Sequence, residues 1–343
     1  MSWLGDLDGD EYADRYADYQ ARIRPNPRGS RARTKIRPEH DDAVPALVLS
    51  VDRGRYSVLV DEGGPQERET TASRASELRS QAIVTGDRVD LVGDTSGAPG
   101  TLARIVRIQP RATVLRRSAD DSDEVERIIV ANADQLLIVV AAADPEPRAR
   151  LVDRYLVAAF DAGIAPILCI TKADLADPAG FLANFAGLDL PVVTSGRGEV
   201  PVPELARLLR GHTTVAVGHS GVGKSTLVNA LVPEARRTTG RVNAVTGRGR
   251  HTSSSTVSYR VDGGWIIDTP GIRSFGLGHV DPDSILGAFT DLAELAADCP
   301  RGCTHLPDSP DCAIVEGVER GELGAVGRAR LDSLQRLLTA LRA

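Results

Sequence analysis

The chain has 343 residues, 42% hydrophobic and 26% charged, with 47 Asp and Glu against 41 Lys and Arg for a formal net charge of -6. That length allows two or three domains with ordinary apolar cores, and the acidic balance excludes a wholly basic RNA binder, so any RNA contact must come from local patches. No apolar run approaches membrane-spanning length and the N-terminus is acidic, which argues against insertion and secretion and sets the expectation of a cytoplasmic protein.

Residues 1–40 divide by charge. Asp6, Asp8, Asp10, Glu11, Asp14 and Asp18 come first, followed by Arg22, Arg24, Arg28, Arg31, Arg33, Lys35 and Arg37. Neither stretch can build a core, and Pro25, Pro27 and Gly29 oppose a continuous helix. The segment reads as a flexible charged arm, either suited to RNA phosphate or simply a solvated tail.

Residues 41–116 carry short apolar or alternating runs at Ala46–Leu49, Tyr56–Val60, Asp87–Val92 and Leu102–Ile108, punctuated by turn residues. This is the pattern of a small β-barrel, and a five-stranded OB-fold fits the length. OB-folds often bind RNA, but Tyr56 is the one obvious stacking aromatic, which favours backbone contact over base reading.

Residues 117–280 begin with a predicted strand at Gln135–Ala141, a helix near Arg148–Ala162 and a strand at Ala165–Ile170, a β-α-β unit in which Cys169 reads as a core residue. Thr171-Lys172-Ala173-Asp174 then falls at the carboxyl edge, where open α/β sheets bind ligands. An Asp at that spacing can accept both N1–H and the exocyclic amine of guanine, whereas adenine presents the wrong edge. Thr171 stands where many GTPases carry Asn, and its hydroxyl can still tie this loop to a phosphate loop. Val192–Gly196 supplies a weak final motif, with Ser195 bracing the base.

A buried strand at Thr213–Val217 leads into Gly218-His219-Ser220-Gly221-Val222-Gly223-Lys224-Ser225 and then a helix through Thr226–Leu231. Such a turn converges backbone N–H groups on phosphates at the positive end of a helix. The nucleotide-binding set is Gly218, Ser220, Gly221, Val222, Gly223, Lys224, Ser225 and Thr226, with Lys224 reaching the β- and γ-phosphates and Ser225 the Mg²⁺. His219 suits an outward-facing side chain and receives no role. Trp265–Gly271 adds a second buried strand ending in Asp268, a Mg²⁺ carboxylate, and in Gly271, whose N–H can approach the γ-phosphate. The base motif precedes the phosphate loop, so the domain is circularly permuted. Residues after Gly271 then lead directly toward a separate C-terminal module that hydrolysis could move.

Ras-like GTPases place a water-orienting Gln immediately after D-x-x-G, and here that position is Ile272. The Gly247–Ser255 segment offers His251 as the alternative, whose competing readings are a solvated or an RNA-contacting histidine. Thr252 is the expected switch hydroxyl on Mg²⁺, with Ser253 and Ser254 as substitutes. Arg250 could stabilise phosphate charge or bind RNA as part of a basic Arg236–Arg250 patch.

Residues 281–343 contain Cys299, Cys303, His305 and Cys312, three thiols and an imidazole suited to one tetrahedral Zn²⁺, the alternative being a disulfide with a spare thiol. The segment Gly321–Ala343 reads as an amphipathic helix that either packs or contacts RNA.

In the order T-K-A-D, G-H-S-G-V-G-K-S, G-R-G-R-H-T, D-T-P-G-I-R and then Cys-Cys-His-Cys, nearly the whole chain resembles the RsgA/YjeQ family of small-subunit-dependent GTPases. The resemblance implies a multidomain α/β architecture: an OB-fold barrel, a circularly permuted phosphate-loop GTPase domain and a zinc-binding helical module. It further implies GTP and GDP as ligands, catalysis by His251, zinc on the four named residues, and hydrolysis stimulated by the small ribosomal subunit and its rRNA during late maturation. A monomer is expected. Two departures stand out: His251 is followed by Thr-Ser-Ser-Ser where relatives have a run of threonines, and three residues rather than four separate Cys299 from Cys303. The rival readings are a permuted GTPase acting on the large subunit, and a nucleotide-gated RNA-binding scaffold whose hydrolysis is incidental.

Overall fold

In a computed structural model, the structure describes residues 40–118, 126–196, 199–232, 256–269, 275 and 277–341. The charged arm, the Arg236–Arg250 patch, His251, Thr252, Ser253, Ser254, Gly271 and Ile272 lie outside the described residues. Every described element falls in the unit Asp42–Ala343.

Strands β1 (Val44–Asp52), β2 (Arg55–Val60), β3 (Arg68–Arg74), β4 (Arg88–Gly93) and β5 (Ala103–Ile108) pair in the order β1-β2-β3-β5-β4. A further β1–β4 pairing, Val44 to Leu91 through Leu47 to Arg88, closes the sheet into an OB-like barrel. Inward-facing Val48, Val58, Val60, Val89, Leu91 and Ile105 fill its interior. The third strand escapes pattern reading because its sequence, Arg-Glu-Thr-Thr-Ala-Ser-Arg, buries only Thr70 and Ala72. Tyr56 corrects an expectation: it is 4% exposed within the barrel core, so its ring is not presented to a base.

After the β6 (Val114–Ser118) and β7 (Glu126–Ala131) hairpin, the chain builds β8 (Gln135–Ala141), α1 (Ala149–Asp161), β9 (Ala165–Thr171), α2 (Ala179–Leu182) and β10 (Val192–Thr194). There follow α3 (Val202–Leu209), β11 (Thr213–Val217), α4 (Lys224–Leu231), β12 (Val257–Val261) and β13 (Gly264–Asp268). The sheet order is β10-β9-β8-β11-β13-β12, parallel except for the β12–β13 hairpin. Strand β9, which leads into the base motif, precedes β11, which leads into the phosphate loop, and β13 follows both, the order of a permuted domain. All seven residues of β8 are buried, as a strand covered on both faces requires.

Barrel and sheet meet where β1 pairs with β12 at Ser50 and Val257. Trp265 on β13 packs against Leu47, Leu49 and Leu59 of the barrel exterior, and its indole N–H donates to Glu62 Oε1 at 2.6 Å.

Helices α5 (Pro282–Leu286), α6 (Thr290–Ala296), α7 (Ala313–Glu319) and α8 (Gly327–Ala340) complete the described chain. The helix-spaced Leu331, Leu334, Leu337 and Leu338 of α8 are buried in the same core as Val152, Tyr155 and Leu156 of α1 and Ile138 of β8. The C-terminal helices therefore have no separate core; they complete the apolar layer over one face of the parallel sheet. Among the described residues no helix is long and apolar enough to cross a membrane.

Candidate functional site

Three loops meet at the carboxyl edge of the parallel strands. Gly218 leaves β11 so close to β8 that an added Cβ would lie 2.5 Å from the Val139 carbonyl oxygen, so no larger residue fits there. Gly221 and Gly223 have φ of 83° and 91°, and Gly223 caps α4, whose first residues are Lys224, Ser225 and Thr226. Lys224 Nζ pairs with Asp268 Oδ1, which stands at the end of the neighbouring parallel strand opposite Ala216. Thr269 Oγ1 donates to the Ala216 carbonyl at 2.7 Å and fixes the start of the following segment against β11.

The base-motif loop is joined to the phosphate loop by one short bond: Thr171 Oγ1 donates to the Val222 carbonyl at 2.5 Å. Lys172 has φ 56°, and its ammonium donates to the Asp144 carbonyl. Asp174 is exposed and, together with Ala173, Thr194, Ser195, Gly196 and Glu199, lines a cavity of about 520 Å³. Ser195 is buried; its N–H donates to the Ile170 carbonyl at 2.7 Å, its hydroxyl to the Glu199 carbonyl at 3.1 Å, and its own carbonyl accepts from Ala173 N–H at 3.1 Å. The cavity can receive a planar base with Asp174 at its rim. Burial, and then the Asp268 carboxylate, push the Tyr259 phenol above its ordinary pKa.

These residues meet the requirements of a magnesium nucleotide: a carboxylate and a hydroxyl flank a lysine at a helix N-terminus, which is the oxygen-donor set such an ion takes alongside phosphates. Of the expected set, Gly271, Thr252 and His251 lie outside the described residues, so the described part of the site comprises the phosphate loop, Thr171, Lys172, Asp174, Ser195 and Asp268.

The second cluster lies between α6 and α7. Ligand atoms of Cys299, Cys303, His305 and Cys312 all fall within 4.8 Å of one another. His305 Nδ1 is 3.6, 3.4 and 3.7 Å from the Sγ atoms of Cys299, Cys303 and Cys312, and the Cys299 and Cys312 sulfurs are 4.0 Å apart. A zinc tetrahedron has edges of about 3.8 Å between sulfurs and about 3.6 Å from sulfur to nitrogen, so the four side chains fit the metal. Burial lowers the His305 pKa, opposed by Asp283, leaving the neutral imidazole that a metal requires. Burial raises Cys303, but hydrogen bonds from Ser309, the His305 backbone and the neighbouring thiols hold it below its usual value overall. Burial pushes Cys312 up to about 11, with the adjacent thiols reinforcing the rise.

Ser309 was not evident from sequence. Its Oγ lies 3.2 Å from Cys303 Sγ and accepts from the Thr304 N–H at 3.3 Å, an orienting contact behind a ligand. A lone serine in a loop carries no spacing signal that could have singled it out.

Residues 108–278 match the family model described as RsgA GTPase. A protein of Pseudomonas syringae pv. syringae named small ribosomal subunit biogenesis GTPase RsgA is 40% identical over 270 residues, covering 76% of this chain and 75% of that one. Its counterpart in Pseudomonas aeruginosa is 39% identical over 251 residues, covering 71% and 72%. Among solved structures, YjeQ from Thermotoga maritima superimposes with a TM-score of 0.63 at 24% identity, over 88% of this chain and 99% of that one. YloQ, described as a circularly permuted GTPase, superimposes with a TM-score of 0.62 at 25% identity, over 89% and 98%.

Proposed function

The chain belongs to the RsgA GTPase family, and from that premise we propose that this GTPase acts on the small ribosomal subunit late in its maturation and is released when it hydrolyses GTP. The supporting observation is the union in one chain of a closed five-strand barrel, a permuted phosphate-loop sheet and a Cys₃His cluster, alongside relatives named for that role.

In this reading Asp174 accepts N1–H and the exocyclic amine of guanine, Ser195 braces the base, and Thr171 and Lys172 hold the base loop in register with the phosphate loop. Gly218, Ser220, Gly221, Val222, Gly223 and Thr226 shape the turn that presents backbone N–H groups to the phosphates. Lys224 exchanges Asp268 for the β- and γ-phosphates. Ser225, Asp268 and Thr252 would hold Mg²⁺, which when bound neutralises charge on the phosphate oxygens. Gly271 offers its N–H to the γ-phosphate, and His251 orients the attacking water.

One zinc on Cys299, Cys303, His305 and Cys312 would cross-link the α6–α7 loop as a structural centre. The proposed division of labour is a charged arm at 1–40, an RNA-binding barrel at 41–116, the GTPase segment at 117–280 and zinc-bearing helices at 281–343. The protein works as a monomer in the cytoplasm and contacts rRNA backbone through its basic patches.

The test is the affinity for purified small subunits with a non-hydrolysable GTP analogue and with GDP. Binding at least tenfold tighter with the analogue is expected. Equal affinities overturn the release step, because a ligand with no differential affinity shifts no equilibrium.

A further inference from the structure

The β8–α1 loop lies where a nucleotide must cross. In the sheet, β8 sits between β9, which delivers the base motif, and β11, which delivers the phosphate loop. Ligands in open parallel sheets bind at the carboxyl ends of the strands, so the residues leaving β8 lie between the base and phosphate subsites.

Their contacts run to both sides. Ala142 N–H donates to the Thr171 carbonyl at 2.8 Å, and the Asp144 carbonyl accepts from the Lys172 ammonium. On the other side, Pro145 Cδ lies 3.8 Å from the position a Cβ on Gly221 would occupy. Asp144 has φ 44°, a conformation L side chains rarely adopt, and it faces Lys172, which also has positive φ. The Asp144 side chain is exposed and it is the backbone carbonyl that touches Lys172.

We propose that the Asp144–Pro145 corner is a positioning element of the nucleotide site, with the Asp144 carbonyl anchoring Lys172 and Pro145 backing the phosphate loop at Gly221. The proposal rests on the guanine-nucleotide reading of this edge. Its role is in ground-state binding: GTP and GDP depend on it equally, and the chemical step does not.

The experiment measures Kd for fluorescent GDP and a GTP analogue, and kcat at saturating GTP, on full-length protein. Asp144→Gly keeps the carbonyl and tolerates positive φ, so it binds like the wild type. Asp144→Val opposes that φ and is expected to weaken both nucleotides roughly tenfold, with kcat within about twofold. Combining Asp144→Val with Lys172→Met should weaken binding no further than the worse single variant, because both break the same contact. If Asp144→Val lowers the thermal midpoint, Asp144→Ala, a milder perturbation, takes its place. The proposal is overturned if the non-glycine variants bind like wild type, if kcat falls while Kd holds, or if the two substitutions add. Failure of the wild type itself to bind GDP would overturn the guanine reading as well, which separates the two claims.

Discussion

The ring of Phe275 meets that of Tyr155 edge-on, with centroids 5.6 Å apart and planes inclined by 73°, where the segment after Asp268 returns to the core. Phe275 is completely buried, and its carbonyl accepts from Arg154 at 3.2 Å. The next residue back along α1, Asp153, binds Arg336 of α8 at 3.0 Å. Three consecutive residues of one helix therefore touch both the segment after Asp268 and the C-terminal helix. A displacement after Asp268 would reach α8 through packed side chains, and the shared core limits how far the C-terminal helices can move independently.

Phe275→Ala is expected to cost about 3–4 kcal/mol, because it removes a fully buried ring and leaves a cavity beside Tyr155. Denaturant unfolding measures this, with nucleotide bound and absent. Phe275→Leu should recover most of the stability but lower subunit-stimulated turnover more than intrinsic turnover. Equal effects on the two rates would show that Phe275 only packs.

The Asp153–Arg336 pair gives a pH prediction. Burial raises the Asp153 pKa although Arg336 opposes the rise, so its stabilising contribution is full below the unfolded carboxyl pKa and is lost as pH rises through the folded one. Arg336→Met removes the opposing charge and leaves a buried carboxylate uncompensated. The variant should lose about 3 kcal/mol at pH 7.5 and markedly less at acidic pH, where protonation of Asp153 relieves the buried charge. Denaturation curves at the two pH values decide this, and an equal loss at both would contradict it.

Cys303→Ala should reduce bound zinc from one per chain to well below it and loosen the α6–α7 region, while GDP binding at the sheet edge persists. Ser309→Ala keeps all four ligands but removes the contact to Cys303, and should weaken zinc about tenfold in chelator competition. Unchanged metal content in Cys303→Ala would refute the ligand assignment.

Thr171→Val keeps the side-chain shape and deletes the hydroxyl that joins the two nucleotide loops at Val222. Losing a buried hydrogen bond costs about 1–2 kcal/mol, so GTP and GDP should each bind roughly tenfold more weakly. Titration with fluorescent nucleotides measures it; unaltered affinity would mean the loops are held by other contacts.

What could be read from the sequence was contiguous. The Gly218–Ser225 turn, Thr171–Asp174 and the crowding of three cysteines around His305 each place their chemistry within a few residues, and their order along the chain gave the permutation. What escaped reading depends on distant partners. The polar strand Arg68–Arg74 is a strand because β2 and β5 flank it, not because of its own alternation. Tyr56 looked available because an aromatic in a half-polar run has no mark of which face it takes, and barrel closure turned it inward. Trp265, Phe275, Ser309 and the Asp144 corner acquire their roles from residues brought together only by the fold. The C-terminal leucines announced a helix but not that α1 would supply the other half of their core.

The most direct test of the central claim is GTP turnover by the purified protein alone, with saturating small ribosomal subunits, and with large subunits as the control. Slow intrinsic hydrolysis, strong stimulation by small subunits and none by large ones are expected. Turnover that neither subunit alters, or that large subunits stimulate instead, would contradict the claim.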